Sequence, residues 1–236
     1  MGTSWLARVS PRLTLVVLSA LLAAPCLTGA SPAGGAADSA ADELAQALQR
    51  RYDSIRDFSA DFVHSYQGGV LRKPISERGH VLIKKPGKMR WEYTTPEKKL
   101  FVADGVRMYS YLPADKQVIV SAASRDDQTT APALFLAGKG NLARDFSASL
   151  VEVPAGLPTG GRALKLVPKT PQPDYDWLVF SLDPASLAIQ GLVTMDAQGG
   201  QSSFWFTNLK ENVGLADTPF AFSIPRGVDV VTDAPR

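Results

Sequence analysis

The residues best suited to acid–base or metal chemistry in this chain of 236 residues are its two histidines, His64 and His80. Two imidazoles give weak support to either a metal cluster or a catalytic triad. His64 shares one face of a predicted strand with Phe58, Phe62 and Tyr66. We therefore predict a hydrogen-bonded histidine in the core or at the rim of a cavity, without a catalytic role.

Two other motifs could carry chemistry, and each has a simpler structural interpretation. Gly138–Ala143 fits G-x-G-x-x-A, but a dinucleotide site also needs a βαβ unit, which the β-rich surroundings do not supply. Asp126 and Asp127 form an acidic pair that is typical of a solvated loop. The sequence has neither a G-x-S-x-G elbow nor a phosphate-binding loop. We predict that the protein is not an enzyme and uses neither a cofactor nor a metal ion.

The elements that must position any site are strands, and residues 79–112 show them best. Met89, Trp91 and Tyr93 alternate with polar residues, which is the period of a strand with two unlike faces. Asp104-Gly105 is a strong hairpin signal because both residue types tolerate a positive φ. A sheet with one bulky apolar face must bury that face against something. The function depends on what covers it.

The chain as a whole predicts a mainly β, α+β fold with a single antiparallel sheet. Runs of β-type residues separated by Pro, Gly and Asp turns predict its strands. The predicted strands are Phe58–Gln67, His80–Lys84, Met89–Thr94, Leu100–Ala103, Val106–Leu112, Gln117–Ser121, Ser149–Val153, Arg162–Pro168, Trp177–Leu182, Ile189–Asp196 and Ser203–Asn208.

Helical signals occur before and within this β-rich pattern. Ser39 and Asp42 resemble a capping box that opens an N-terminal helix. The apolar segment Ala131–Gly138 predicts a mid-chain helix, and Asn141–Phe146 predicts a second short one. The apolar stripe of the N-terminal helix consists of Leu44, Leu48, Tyr52 and Ile55.

The N-terminal region predicts export. Arg8 and Arg12 precede the apolar run Leu13–Ala24, which is shorter than the roughly 20 residues that span a bilayer. We predict a secretory signal over residues 1–30, a disordered linker over 31–40 and one domain over 41–236. Without the signal, the chain has 23 basic and 23 acidic residues, and this balance does not favour nucleic-acid binding.

The single cysteine, Cys26, lies inside the predicted signal. A lipid-anchored protein would carry an acylated cysteine here, after a leucine three residues earlier and a small residue directly before it. Ala23 and Pro25 occupy those two positions. We therefore predict cleavage after Ala30, or as far along as Ala37, and a processed chain without thiol chemistry.

Residues 79–112 resemble the signature region of the periplasmic outer-membrane lipoprotein carrier family, LolA. The residues that carry this resemblance are Lys85-Pro86, Met89, Arg90-Trp91, Pro96 and Leu100–Gly105. Phe58–Phe62 is similar to the family's first strand, Leu166–Lys169 to a middle strand and Phe220–Gly227 to its C-terminal strand. The ordered set covers nearly the whole chain after about residue 40.

The resemblance implies an incomplete β-barrel covered by the N-terminal helix and a mid-chain helical lid. Its apolar cavity would shelter acyl chains, and lid side chains would fill it when no lipid is present. If the sheet instead fills itself, the same aromatic residues form an ordinary core. The cavity and lid residues implied are Trp91, Tyr93, Phe101, Met108, Leu134, Phe135, Leu136, Phe204 and Phe206.

Two further roles follow from the same resemblance. A basic residue at the position of Lys85 ties the lid to the barrel in the family, where it is typically Arg. Lysine is a point charge without the planar fork of arginine, and the alternative is an exposed turn lysine. Met89 falls on a loop implicated in contact with the membrane partner, so we expect this residue to be at least partly exposed; otherwise it is an ordinary strand-end residue.

The function implied is that of a monomeric periplasmic chaperone. It would take acylated lipoproteins from an ATP-driven inner-membrane exporter of the LolCDE type and pass them to a LolB-type outer-membrane receptor where one is present. The alternatives are a LolB-type receptor anchored through Cys26, a secreted hydrolase, or an envelope sensor that binds another amphiphile. Nucleic acid is not an expected partner.

Overall fold

In the part of the chain that the structure describes, twelve strands form one sheet. This computed structural model describes residues 33–68, 74–122, 136, 138, 140–173 and 175–232. The helices are α1 (Ala33–Asp53) and α2 (Leu142–Asp145), with a 3₁₀ turn at Thr218–Phe220. The strands are β1 (Asp57–Gln67), β2 (Ile75–Lys84), β3 (Lys88–Thr95), β4 (Lys99–Asp104), β5 (Arg107–Leu112), β6 (Gln117–Ala122), β7 (Phe146–Val151), β8 (Arg162–Pro168), β9 (Trp177–Leu182), β10 (Ile189–Met195), β11 (Gln201–Glu211) and β12 (Asp229–Thr232).

The strands lie in the order β12, β6, β5, β4, β3, β2, β1, β11, β10, β9, β8, β7. Because β12 and β7 lie at opposite edges, the sheet is open and does not close into a barrel. The predicted mainly β fold on a single unclosed sheet is confirmed. One pair departs from the prediction, since β12 runs parallel to β6 while all the other pairs are antiparallel.

Helix α1 begins earlier than predicted. It is helical from Ala33, so the disordered linker predicted over residues 31–40 is wrong for 33–40. The alanine-rich composition of this stretch favours a helix, and Ser39 lies inside it, where its Oγ donates to Glu43 Oε1 at 3.3 Å. The predicted stripe is confirmed, since Leu44, Leu48, Tyr52 and Ile55 are all buried. Neither α1 nor the other described helix combines the length and apolarity that crossing a membrane requires.

The C-terminal segment 212–228 runs across the outer face of β3 to β5. Lys84 Nζ donates to the Leu215 carbonyl at 2.7 Å, Phe220 is 1% exposed, and Phe222 lies against Tyr109 with ring centroids 5.2 Å apart. The strand expected over Phe220–Gly227 is therefore wrong, because this segment packs across the sheet instead of joining its ladder. Only the following four residues join the ladder, as β12.

The main core lies between α1 and the inner face of the sheet. Period-two alternation places every second side chain of β1, β2, β3, β9 and β11 on this inner face. A smaller cluster of Leu157, Ala163, Val179 and Val193 covers part of the outer face. Most of the predicted mid-chain helix, including Leu134 and Phe135, lies outside the described residues.

Candidate functional site

Six aromatic side chains form a continuous surface on the inner face, and we call this surface the aromatic wall. Its members come from β1, β3, β4 and β11, which strand pairing brings side by side. The Phe62 ring lies 5.2 Å from Trp91, 4.8 Å from Tyr93 and 6.0 Å from Phe204 between centroids. The aromatic wall consists of Phe62, Trp91, Tyr93, Phe101, Phe204 and Phe206.

The aromatic wall is only partly covered. Phe62, Tyr93 and Phe206 are buried, whereas Trp91 and Phe204 are half-buried. Phe101 and Met108, the latter on β5, are also half-buried and pack against the same core. The structure thus brings together the predicted cavity residues of β3, β4, β5 and β11, and it adds Phe62, which the sequence analysis had assigned only to the face of a strand.

A glycine makes room for the central ring of the wall. A Cβ added to Gly79 would lie 2.6 Å from Phe62 Cζ and 2.1 Å from the Glu92 carbonyl oxygen. Both distances are shorter than any normal contact, so only glycine fits here without displacing Phe62 or the β3 backbone.

One end of the wall is closed by Leu136. This residue is 2% exposed, and with Tyr52, Phe58, Ile189 and Phe206 it surrounds a cavity of about 10 Å³. Such a volume is about the minimum that can hold one water molecule. Of the three predicted lid residues, Leu136 therefore fills space beside the wall, while the roles of Leu134 and Phe135 stay predictions.

Lys85 is held against α1 beside this closed end. Its Nζ donates to the Tyr52 carbonyl oxygen and lies 3.8 Å from the centroid of the Tyr52 ring. Tyr52 Oη in turn donates to the Leu136 carbonyl at 3.1 Å. A Cβ added to Gly138 would lie 2.6 Å from Lys85 Cδ, so the stem of Lys85 runs beside that glycine.

The environment of Lys85 is unusual for a lysine. Burial lowers the pKa of its ammonium from 10.5 to about 8, although Asp53 and Glu211 oppose the shift. The structure thus places Lys85 beside Gly138, the last residue of the segment expected to form the lid. The connection to Leu136 passes through Tyr52, which the sequence analysis had treated only as a core residue.

Met89 does not meet the expectation for a partner contact. It is 6% exposed and belongs to the main core, paired with Ile83 on one side and Ala103 on the other. The predicted exposure is therefore wrong. The reason is the alternation itself, because a residue two positions before Trp91 faces the same side of β3.

A group of polar side chains interrupts the inner face next to the wall, and we call it the polar cluster. It comprises His64, Glu77, Tyr93, Lys99 and Ser202. His64 Nε2 lies 2.7 Å from Ser202 Oγ, and His64 Nδ1 lies 3.3 Å from Glu77 Oε2 and 3.4 Å from Tyr93 Oη. Lys99 Nζ donates to Glu77 Oε1 at 2.6 Å. The prediction that His64 is hydrogen-bonded is confirmed.

The charges within the polar cluster balance. Glu77 is 8% exposed and is paired with the ammonium of Lys99. Burial lowers the pKa of His64 below 6.5, against the opposing effect of Glu77, and its ring stacks on Phe204 with centroids 4.2 Å apart. His64 is therefore neutral at pH 7, and the polar cluster carries no net charge.

The chain of Ser202, His64 and Glu77 has the order of groups found in a hydrolase triad. A hydrolase also needs N–H donors aimed at the oxyanion. Ser202 lies within β11, paired with Tyr66 on one side and Thr194 on the other, so the neighbouring backbone N–H groups belong to the ladder. In the described part of the chain, this arrangement can hold a polar group, but the ladder amides around Ser202 cannot supply an oxyanion hole.

The second histidine lies on the outer face. His80 Nδ1 is 2.9 Å from Asp61 Oδ1, and Asn208 Nδ2 donates to Asp61 Oδ2 at 2.7 Å. Both the His80 and the Asp61 side chains are about half exposed. This group is a solvated surface network separate from the aromatic wall.

An open sheet with a partly exposed aromatic wall and an adjoining neutral polar cluster is an arrangement of the kind that suits an amphiphilic ligand. The sequence profile described as outer membrane lipoprotein carrier protein LolA matches residues 53–223. The outer-membrane lipoprotein carrier protein of Chromohalobacter salexigens is 30% identical over 219 residues, covering 92% of this chain and 96% of that protein. The chain therefore belongs to the LolA family of outer-membrane lipoprotein carrier proteins.

One further relative agrees with this assignment, and one solved structure shares the fold. The outer-membrane lipoprotein carrier protein of Methylococcus capsulatus is 30% identical over 186 residues, covering 79% of this chain and 86% of that protein. The crystal structure of an uncharacterized conserved protein from Thermus thermophilus has a TM-score of 0.50 at 15% identity, covering 80% of this chain and 99% of that one. That structural similarity concerns the fold alone.

Proposed function

We propose that this protein carries acylated lipoproteins through the periplasm and shelters their acyl chains against the aromatic wall. The observation that supports this most directly is the partial exposure of Trp91 and Phe204 beside an end that Leu136 fills. An ordinary core would bury all these side chains. A surface that is partly open and partly plugged by its own chain is what reversible lipid binding requires.

The energetics favour a carrier whose site can close on itself. Each methylene removed from water contributes about 0.8 kcal/mol, so a chain of about 15 methylenes contributes about 12 kcal/mol before opposing terms. Affinity of that size would prevent release. Displacing Leu136 from the wall costs free energy, and this cost lowers the apparent affinity.

The partners follow from the same role. Cargo would arrive from an ATP-driven inner-membrane exporter and leave to an outer-membrane receptor. The exporter would supply the energy, because the sequence has no phosphate-binding loop of its own. The working form would be a monomer without the N-terminal signal.

The test compares two neighbouring residues on opposite faces of β11. Phe204→Glu places a carboxylate in the aromatic wall, where an acyl chain would have to desolvate it at a cost of a few kcal/mol. Trp205→Glu makes the same change on the outer face, where Trp205 is 41% exposed. Each purified protein is added to spheroplasts that synthesise a labelled lipoprotein, and the soluble lipoprotein complex is quantified.

We expect Phe204→Glu to lower lipoprotein release at least tenfold and Trp205→Glu to leave it near the wild-type level. Circular dichroism checks that both variants are folded. Equal release by a folded Phe204→Glu variant and the wild type would refute the assignment of the wall to acyl chains.

A second candidate is a LolB-type receptor anchored through Cys26, which the presence of that cysteine near the N-terminus favours. The mass of the mature protein separates the two. A chain that begins between Ser31 and Asp38 supports the carrier, whereas a mature chain with an acylated Cys26 at its N-terminus supports the receptor.

A further inference from the structure

The polar cluster interrupts a row of side chains that is otherwise apolar. Strand pairing places Glu77 opposite His64, and His64 opposite Phe204. The row then continues through Leu192 and Phe180 to the far half of the sheet. Apolar side chains thus fill this row everywhere except where it borders Tyr93 of the aromatic wall.

The interruption is costly for the fold. Glu77 is buried and needs both Lys99 and His64 to satisfy its two oxygens. An ion pair in such a place is commonly no more stabilising than well-packed apolar residues of similar volume. Stability therefore gives little reason for this group, which makes a role in ligand recognition the stronger explanation.

We propose that the polar cluster binds the uncharged ester and amide junction from which the acyl chains of the cargo extend. This inference rests on the proposed carrier function and adds to it a direction for the ligand and a selection by charge. The junction would lie at Tyr93, Ser202 and Lys99, and the acyl chains would run from Phe204 toward Phe206 and Leu136.

The available groups match such a junction. Ester and amide carbonyls accept hydrogen bonds, and the polar cluster offers the hydroxyl of Tyr93, whereas the hydroxyl of Ser202 already lies 2.7 Å from His64 Nε2. The ammonium of Lys99 has three N–H groups, and its side chain is 30% exposed. The Tyr93 to His64 distance of 3.4 Å is long for an O–H bond, so this hydroxyl can turn to a ligand at little cost.

The same balance of charge disfavours anionic amphiphiles. A carboxylate or sulfonate entering here would meet Glu77 within the same network, and Lys99 is already paired with it at 2.6 Å. In a partly buried site a single uncompensated charge acts strongly, because solvent screens it poorly. The polar cluster would therefore favour acylglyceryl groups over fatty acids and other anions of equal chain length.

The experiment measures two probes on the mature protein below their critical micelle concentrations. They are monolauroylglycerol, a neutral ester, and dodecanesulfonate, a permanent anion, and each displaces the neutral dye N-phenyl-1-naphthylamine. Glu77→Gln gives the polar cluster a net positive charge, and Glu97→Gln removes the same charge from an exposed position in the β3–β4 turn. Binding of a triacylated lipopeptide is measured with the wild type only, and this measurement reports on the carrier function.

We expect Glu77→Gln to shift the ratio of the two dissociation constants about tenfold toward dodecanesulfonate, and Glu97→Gln to shift it less than twofold. Tyr93→Phe should weaken monolauroylglycerol about threefold to tenfold and leave dodecanesulfonate unchanged. Tyr111→Phe, a half-buried tyrosine near Phe222 on the outer face, is its control.

The inference would be overturned if the ratio of the two dissociation constants stayed within twofold of the wild-type ratio in both Glu77→Gln and Tyr93→Phe, even if the wild type binds the lipopeptide. Absence of lipopeptide binding by the wild type would instead overturn the carrier function. If Glu77→Gln does not fold, Tyr93→Phe decides alone, since it changes no charge.

Discussion

Replacing Lys85 by methionine tests whether its ammonium is held in a desolvated position against α1. Methionine keeps most of the apolar stem beside Gly138 but removes the charge and the hydrogen bond to the Tyr52 carbonyl. Because the pKa of Lys85 falls from 10.5 to about 8 on folding, the unfolded chain binds this proton more tightly than the folded one. The free energy of unfolding must then rise with pH between about 8 and 10.5.

The size of the effect follows from the change in pKa and from the exposure of the side chain. A pKa that falls from 10.5 to about 8 corresponds to about 3.4 kcal/mol for a fully desolvated group. Lys85 is only half-buried, and screening by solvent reduces the figure to about 1 kcal/mol. We therefore expect the wild type to gain about 1 kcal/mol relative to Lys85→Met as the pH rises from about 7 to about 10.

The assay is urea unfolding followed by circular dichroism at several pH values in that range. Measurements stop at about pH 10 because burial raises the pKa of both Tyr52 and Tyr93, and tyrosine ionisation in the unfolded chain then lowers stability. Lys98→Met removes an exposed lysine as the control. A stability difference between wild type and Lys85→Met that is independent of pH would refute the desolvated latch.

Three further predictions concern the core, the C-terminal segment and the lid. Met89→Glu should lower the free energy of unfolding by about 3 kcal/mol or more, because Met89 is 6% exposed; a loss below about 0.5 kcal/mol in urea titrations would contradict this. Asp57→Ala should cost about 2 kcal/mol, since Asp57 accepts from the Val213 and Gly214 amides, and should increase amide exchange after residue 212; unchanged exchange would show that the segment is held elsewhere. Phe135→Glu should fold and lose acyl binding; lipoprotein binding equal to the wild type would remove Phe135 from the lid.

The strands could be predicted because their signal is local. Alternation at Met89, Trp91 and Tyr93 is visible in a few residues and directly gives the inner face of β3. The same pattern indicates that Met89 is buried, whereas the expected exposure came from the family resemblance, which places this residue on a contact loop. Strand β12 has no comparable signal, because its four residues are all exposed and its parallel partner β6 lies far away in the sequence.

The polar cluster could not be predicted, because it depends on register between distant strands. Ser202 reaches His64 only because β11 pairs with β1, and Glu77 reaches it through the pairing of β1 with β2. No short window contains more than part of this group. The start of α1 was predicted wrongly for another reason. An alanine-rich sequence is compatible with both a linker and a helix, and here it forms a helix.

The central position of the β1 and β11 pair affects how the protein comes to be folded. Phe58 lies opposite Glu211 in this pair, so the middle of the sheet joins segments from nearly opposite ends of the domain. Contacts of such long range slow folding, because a large loop must close before any of them forms. The aromatic wall therefore assembles only after β11 has emerged. Synthesis, which proceeds from the N-terminus, is therefore nearly complete before the aromatic wall exists.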